Sequence, residues 1–309
     1  MRSALIATLL ELAEEDARVF LLTGDLGWNV VERFAARHPD RFLNVGVAEA
    51  NMAGVATGLA LAGYVPFVYS ISTFASMRCY EQVRNGPLLH RLPVRVVGIG
   101  GGYAYGHAGP THHGLEDLAI ARTQPGMTVL APVDPAQTRA AVLAIRDLPG
   151  PAYIRVGKGG NLPVPGLDGR FALGRPELVE EGHDLLLLAC GGIAQEASRA
   201  AAILRSEGVS AAVAVMAHLP FSPTPALIAL LARFRAVLTV EEAYATGGLG
   251  SLVAECVAAE QLPARLERCG VTESFAAGSG REGYLRERAG LDGVSLARAA
   301  RRLLAKGTG

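Results

Sequence analysis

The feature that most constrains this chain is an alternation, met twice, of short apolar or β-branched runs with longer stretches of helical periodicity. A helical pattern near residues 3–15 is followed by VFLLTGD as a strand, a helix near 48–62, VPFVYSIS as a strand and a helix near 76–90. VRVVGIG, TVLAP and AYIRVG continue the strands, with a short helix expected from Leu115 and another from Asp134. After a stretch rich in Gly and Pro between residues 157 and 180, the alternation resumes: DLLLLACGG as a strand, an Ala-rich helix over 193–207, SAAVAVMAH and AVLTVEE as strands, and a helix opened by GGLGSLVAECVA. Strands that are apolar throughout belong in a parallel sheet covered on both faces, and parallel neighbours need crossover helices between them. The expected fold class is therefore α/β, as two three-layer α/β/α domains, each with a mostly parallel sheet. We place the domains at 1–160 and 181–309 with a linker over 161–180.

The chain has 309 residues, 50% hydrophobic and 19% charged, enough for two cores of medium size. Its 29 basic and 29 acidic residues cancel and are spread along the chain, which leaves no electrostatic footprint for nucleic acid or anionic lipid. Cys79, Cys190, Cys256 and Cys269 have no close paired spacing, so a zinc site and a disulfide framework are both disfavoured; they read as buried thiols in a reducing, cytoplasmic compartment. The N-terminal segment, periodic and broken by acids, is neither a signal peptide nor a membrane span.

Among candidate chemical residues, Glu49 is the most informative. It is the one acid in NVGVAEANMAGVATGLALAG, at the junction of strand and helix among small and apolar residues. A helix this apolar is buried, and a carboxylate buried with it is costly without a partner. Glu49 reads either as a helix N-terminal acid favoured by the macrodipole or as a functional carboxylate. TGDLG offers Asp25 and Leu26 at a strand's end, with Asp25 alternatively an ordinary helix cap. STFASMRCYEQVRN offers Phe74, Met77, Arg78 and Tyr80; Phe74 and Tyr80 read equally as core aromatics. In GHAGPTHHGLEDLA, His107, His112 and His113 share a Gly-rich loop that lacks the matching carboxylates of a metal site, and His113 is expected to turn away from His112.

These segments, with TVEEAYATGGLGSLVAE towards the C-terminus, resemble in content and order the pyrimidine-binding and C-terminal domains of the transketolase family, from Arg2 to about Leu304. The resemblance implies that Glu49 hydrogen-bonds the aminopyrimidine ring of thiamine diphosphate, with Asp25, Leu26, Phe74, Met77 and Tyr80 around the cofactor. It also implies that His112 faces the substrate and that the C-terminal domain serves structure and self-association. The family's GDG...N motif, which holds Mg2+ and the diphosphate, occurs nowhere in the chain. The expectation is therefore one half of a split transketolase, paired with an N-terminal diphosphate-binding subunit that binds the Mg2+, as a heterotetramer with two copies of each, with no metal site of its own. The activity implied is transfer of a two-carbon ketol unit from a ketose donor to an aldehyde acceptor.

Three departures bear on the substrate. Ala108, after His107, stands where sugar-phosphate transketolases have an acid; Lys158 in RVGKGG approximates a phosphate-binding arginine; Asn29 stands where a phosphate-contacting serine is expected. Arg2 falls at the spacing of the remaining phosphate contact, and Lys158 can bind phosphate as a point charge without the bidentate fork of arginine. This pattern leads us to expect a secondary-metabolite or unusual-sugar pathway. Three other readings stay open: a deoxyxylulose-phosphate synthase-like enzyme, the beta subunit of a 2-oxoacid dehydrogenase, and a noncatalytic assembly subunit. A dinucleotide-binding protein is disfavoured, because no G-x-G-x-x-G follows the first strand or ACGG.

Overall fold

The computed structural model describes residues 1–159, 162–272, 275 and 278–305. Its first half runs α1 (Arg2–Glu15), β1 (Val19–Thr23), α2 (Glu32–Arg37), β2 (Phe42–Asn44), α3 (Glu49–Leu61), β3 (Val65–Ile71), α4 (Tyr80–Val83), β4 (Arg95–Ile99), α5 (Asp117–Arg122), β5 (Thr128–Leu130), α6 (Pro135–Ile145) and β6 (Ala152–Val156). The second half follows with β7 (Glu177–Glu180), β8 (Leu185–Cys190), α7 (Ala194–Ser206), β9 (Ala211–Val215), α8 (Pro225–Leu231), β10 (Ala236–Tyr244), α9 (Leu249–Ala259), β11 (Arg265–Val271), α10 (Glu282–Arg288) and α11 (Gly293–Ala305).

The first sheet has the order β2-β1-β3-β4-β6-β5, and every pairing in it is parallel. The second has the order β11-β10-β8-β9-β7, parallel except for β7, which pairs antiparallel with β9. β3, β4, β6, β8 and β9 are buried at every position, which is why they read as largely apolar runs. The two sheets share a core: one apolar cluster includes Met52, Ala56 and Val129 from the first half and Leu186, Leu188 and Met216 from the second. Main-chain bonds reinforce it, with Ala131 N–H donating to the Ala217 carbonyl at 2.8 Å and Gly191 N–H to the Ala131 carbonyl at 3.0 Å. Among the described residues no helix is long and apolar enough to cross a membrane.

Three details differ from the sequence expectation. The helix expected over 76–90 is instead a π-helical turn at Phe74–Arg78, the short α4, and a second π turn at Arg84–Leu88. Pro87 lies inside the second turn and has no N–H for an i→i−4 bond, so regular α-helix cannot run through it. The linker is shorter than 161–180, because β7 lies within that range as an edge strand; its four residues, with Glu177 and Glu180 at the ends, hid it in the sequence. Of the four thiols, Cys79, Cys190 and Cys256 are buried, but Cys269 is only half-buried, on the outer strand β11.

Candidate active site

The chemistry gathers at the carboxyl ends of β1 and β3, where parallel strands hand over to helices. Glu49 opens α3, and the buried positions Met52, Ala53, Ala56 and Ala60 seat that helix on the sheet. Packing the helix buries the glutamate with it, to 2% exposure. Its carboxylate accepts two side-chain bonds, from Ser70 Oγ to Oε1 at 3.1 Å and from Arg78 Nη1 to Oε2 at 3.1 Å. Ser70 comes from β3, and Gly24, just past β1, lies so near that a Cβ there would sit 3.4 Å from Glu49 Oε1. A buried carboxylate held by side chains is a tethered charge whose partners can exchange, in contrast to one locked into a helix's own amides.

Phe74 begins the first π turn, a kind of helical irregularity frequent at functional sites. The turn places the Arg78 guanidinium 3.7 Å above the Phe74 ring centroid while its Nη1 reaches Glu49. His112 meets the same ring edge-on at 5.2 Å and lies 6.1 Å from the ring of Tyr105. Glu49, Phe74, Arg78 and His112 thus form one cluster. Met77 projects from the same turn, 42% exposed. Tyr80 lines a small cavity with Ser76, Gln124 and Tyr153, whose lining includes neither Glu49 nor its partners Ser70 and Arg78.

Asp25 has a left-handed backbone (φ 60°), fixed by a pair of bonds to Asn44: its N–H donates to Asn44 Oδ1 at 3.0 Å, and Asn44 Nδ2 donates to Asp25 Oδ1 at 3.1 Å. Asp25, Leu26 and the largely exposed Trp28 line a cavity of about 190 Å3 with Phe42 and Asn44. Asn29, also at φ 60°, is exposed and donates its backbone N–H to Glu32 Oε1.

A cationic group lies on the other side of His112. Lys158 Nζ rests 4.0 Å from the Tyr105 ring centroid, and Arg2 Nε donates to the Lys158 carbonyl at 2.9 Å. Burial pushes the nearby Tyr69 hydroxyl up to about 12, so it faces this group as a neutral phenol. Among the described contacts, none joins Asn29 to Arg2 or Lys158. His107 is exposed, whereas His113 is buried against Tyr103 with its rings 5.1 Å apart, turned away from His112 as the sequence suggests. His112 Nδ1 lies 2.9 Å from Thr111 Oγ1. Among the described residues no group of three His, Cys, Asp or Glu side chains could hold a metal ion.

What holds the histidine loop is a buried network that the sequence reading missed. Gly102 and Gly114 exchange backbone bonds at 2.7 and 2.9 Å, closing the loop at its base. Arg155, from β6, donates to the Gly114 carbonyl at 2.8 Å, to Asp117 at 2.9 Å and to the Glu242 carbonyl at 3.0 Å. Glu242 in turn accepts from Tyr103 N–H at 3.2 Å and from Arg286 at 2.8 Å. A Cβ at Gly102 would come within 2.5 Å of the Glu242 carboxyl carbon, so glycine is required where the loop meets the second sheet. The second half therefore anchors the loop that carries His112.

Residues 1–162 match the pyrimidine binding domain of transketolase, and residues 174–294 match the transketolase C-terminal domain. The chain is 40% identical to a 6-deoxy-6-sulfo-D-fructose transketolase subunit of Clostridium sp. (strain MSTE9), over 97% of this chain and 93% of that one. It is 35% identical to an apulose-4-phosphate transketolase subunit of Phocaeicola vulgatus, over 86% of each. A 1-deoxy-D-xylulose-5-phosphate synthase of Syntrophotalea carbinolica is 36% identical over 96% of this chain, which spans only 47% of that protein. Among solved structures, a split gene transketolase described as an inactive beta4 tetramer superposes with TM-score 0.88 at 36% identity, covering 98% of both chains. The chain belongs to the transketolase family, as the pyrimidine-binding and C-terminal section that split transketolases carry on a separate subunit.

Proposed function

We propose that this chain supplies the pyrimidine end of a thiamine-diphosphate site whose diphosphate and Mg2+ are held by an N-terminal partner subunit, and that the assembled enzyme transfers a two-carbon ketol unit between sugars. The observation that carries this reading is Glu49, a carboxylate at 2% exposure whose partners are side chains, beside the aromatic face of Phe74. The residues present fit the aminopyrimidine: a flat hydrophobic ring to stack on and a shielded carboxylate to meet a ring nitrogen, with Met77 on the same turn as Phe74. Thiamine diphosphate, when bound, supplies the carbanion chemistry that polar side chains lack.

Glu49 acts by sharing a proton with the pyrimidine nitrogen it faces. With the cofactor bound, Glu49, shielded from water, would hold that shared proton at its carboxylate without losing it to solvent. Ser70 keeps the carboxylate in register by donating to Oε1. With Nδ1 engaged by Thr111, His112 offers Nε2 to the donor's oxygen, where it stabilises charge as that oxygen gains it. Phe74 and Tyr105 flank the His112 ring, with centroids 5.2 and 6.1 Å away, and so fix its orientation.

Arg2 and Lys158 lie where an anionic tail would end, which supports a phosphorylated or sulfonated sugar as the substrate class, in line with the names of the two subunit relatives. Ketol transfer is favoured over deoxyxylulose-phosphate synthesis because the relatives matched along nearly their whole length are transketolase subunits. The soluble, cytoplasmic setting and the two-plus-two stoichiometry belong to the same proposal. The test is ketol transfer from hydroxypyruvate by the chain mixed with its diphosphate-binding subunit, comparing wild type with Glu49→Gln. Loss of turnover in a variant that still assembles supports the reading; undiminished turnover rejects it.

A further inference from the structure

The contact between Arg78 and Glu49 bears on how the cofactor enters. Arg78 is planar and cationic. Its guanidinium stacks 3.7 Å over Phe74 and donates to Glu49 Oε2 at 3.1 Å. A flat face on Phe74 and a nitrogen at the Glu49 carboxylate are the same two contacts that an aminopyrimidine ring needs. The guanidinium as seen here and a bound pyrimidine therefore exclude one another.

The two ends of the ion pair differ in a way that suits exchange. Glu49 is 2% exposed and Arg78 is 45% exposed. A carboxylate so deeply buried is destabilising when left unpaired. The arginine, already half in water, gives up little solvation when it swings away. It also leaves from a π turn, followed by residue Cys79 at φ −118° and ψ 20°, outside the α-helical basin. Ser70 alone would remain on Glu49 until a new partner arrived.

Resting on the reading of Glu49 as the pyrimidine's acceptor, we propose that Arg78 is a displaceable stand-in for the aminopyrimidine, neutralising Glu49 until the cofactor's ring takes its place on Phe74. Affinity for thiamine diphosphate is then lowered by the fraction of molecules in which Arg78 holds the site, and removing the guanidinium raises it. The same removal strips the buried carboxylate of its counter-charge and destabilises the chain on its own.

The experiment is a pair of measurements on Arg78→Met, Arg78→Lys, Glu49→Gln and the double variant Glu49→Gln/Arg78→Met. Thiamine diphosphate binding to the chain assembled with its diphosphate-binding subunit is read by calorimetry, and the melting temperature is read on the chain alone. The expected result is a Kd for Arg78→Met lower than wild type by roughly tenfold, with Arg78→Lys between the two because it keeps charge but loses the planar stack. The melting temperature should fall in Arg78→Met and be restored in the double variant, where no buried charge is stranded. A wild-type complex that binds the cofactor while Arg78→Met binds it equally or more weakly overturns the stand-in and leaves the pyrimidine reading intact. A wild-type complex with no affinity for thiamine diphosphate overturns both.

Discussion

Glu49 and Glu241 are both buried near the carboxyl ends of parallel strands, and they are held in opposite ways. Glu49, at the end of the first sheet, is bonded by the side chains of Ser70 and Arg78, the latter nearly half in solvent. Glu241, in β10 of the second sheet, accepts the backbone N–H groups of Leu249 and Gly250 at 2.9 and 2.7 Å, at the first turn of α9. Burial raises the affinity of Glu241 for its proton, while the two amides oppose that rise. Its partners are main chain and cannot leave without unravelling the helix. The lesson is that burial alone does not mark a functional carboxylate. What distinguishes Glu49 from Glu241 is that its partners are side chains, one of them half in solvent, and can be exchanged.

The largest expected effect comes from the exchangeable one. Glu49→Gln should lower turnover of the assembled enzyme by roughly 10²–10⁴-fold, with the melting temperature nearly unchanged because Gln can still bond Ser70; steady-state kinetics and a thermal melt check both halves. Next is His112→Gln, expected to cost roughly 10²–10³-fold in turnover without affecting cofactor affinity, read by comparing kcat with a cofactor titration. The fixed glutamate should behave inversely. Glu241→Leu, which orphans two amides of α9, should cost about 2–3 kcal/mol of stability in urea unfolding, while molecules that remain folded keep their turnover. Equal kinetic losses at Glu49 and Glu241 would erase the distinction drawn here.

The smallest effect is a pH dependence where the second half, between β9 and α8, meets the segment joining the two halves. His218 is pushed down to about 4 by burial, and its Nδ1 accepts the Gly174 N–H at 2.7 Å, so the fold holds it neutral. A histidine whose folded pKa lies below its unfolded value contributes stability that is present above about 6.5 and lost as pH falls towards 4. Acidification across that window should weaken the fold by about 2 kcal/mol, discounted because the ring is not wholly buried. His218→Gln should flatten that part of the stability-against-pH curve.

Much of this was legible in the sequence, and for definite reasons. β3, β4, β6, β8 and β9 are buried on both faces, so their sequences are mostly apolar, with Ser70, Arg95 and Arg155 as the buried polar exceptions. Glu49 stood out because one acid in an apolar helix has few physical excuses. β2, β7 and β11 escaped because they are short or at a sheet's edge, with one side facing solvent, and so carry charged residues such as those of RLERCGV. α11 had a readable signal in Leu296, Ala300 and Leu303 at helical spacing, which the strand-led reading passed over. Arg78 and Arg155 could not be placed from sequence. An arginine's long side chain commits to a partner only in three dimensions, and the partners, Glu49 and Glu242, lie 29 and 87 residues away. The two π turns escaped because the spacing of 76–90 reads as an α-helix, although Pro87 in the second turn already bars a regular one.

The central claim, that this chain is a partner-dependent half of a transketolase with Glu49 at its pyrimidine end, is tested most directly by one kinetic comparison. Ketol transfer from hydroxypyruvate, with thiamine diphosphate and Mg2+ present, would be measured for the chain alone, for the chain with its diphosphate-binding subunit, and for the Glu49→Gln chain with that subunit. The account predicts turnover in the second mixture only. Turnover by the chain alone, or undiminished turnover with Glu49→Gln, would contradict it.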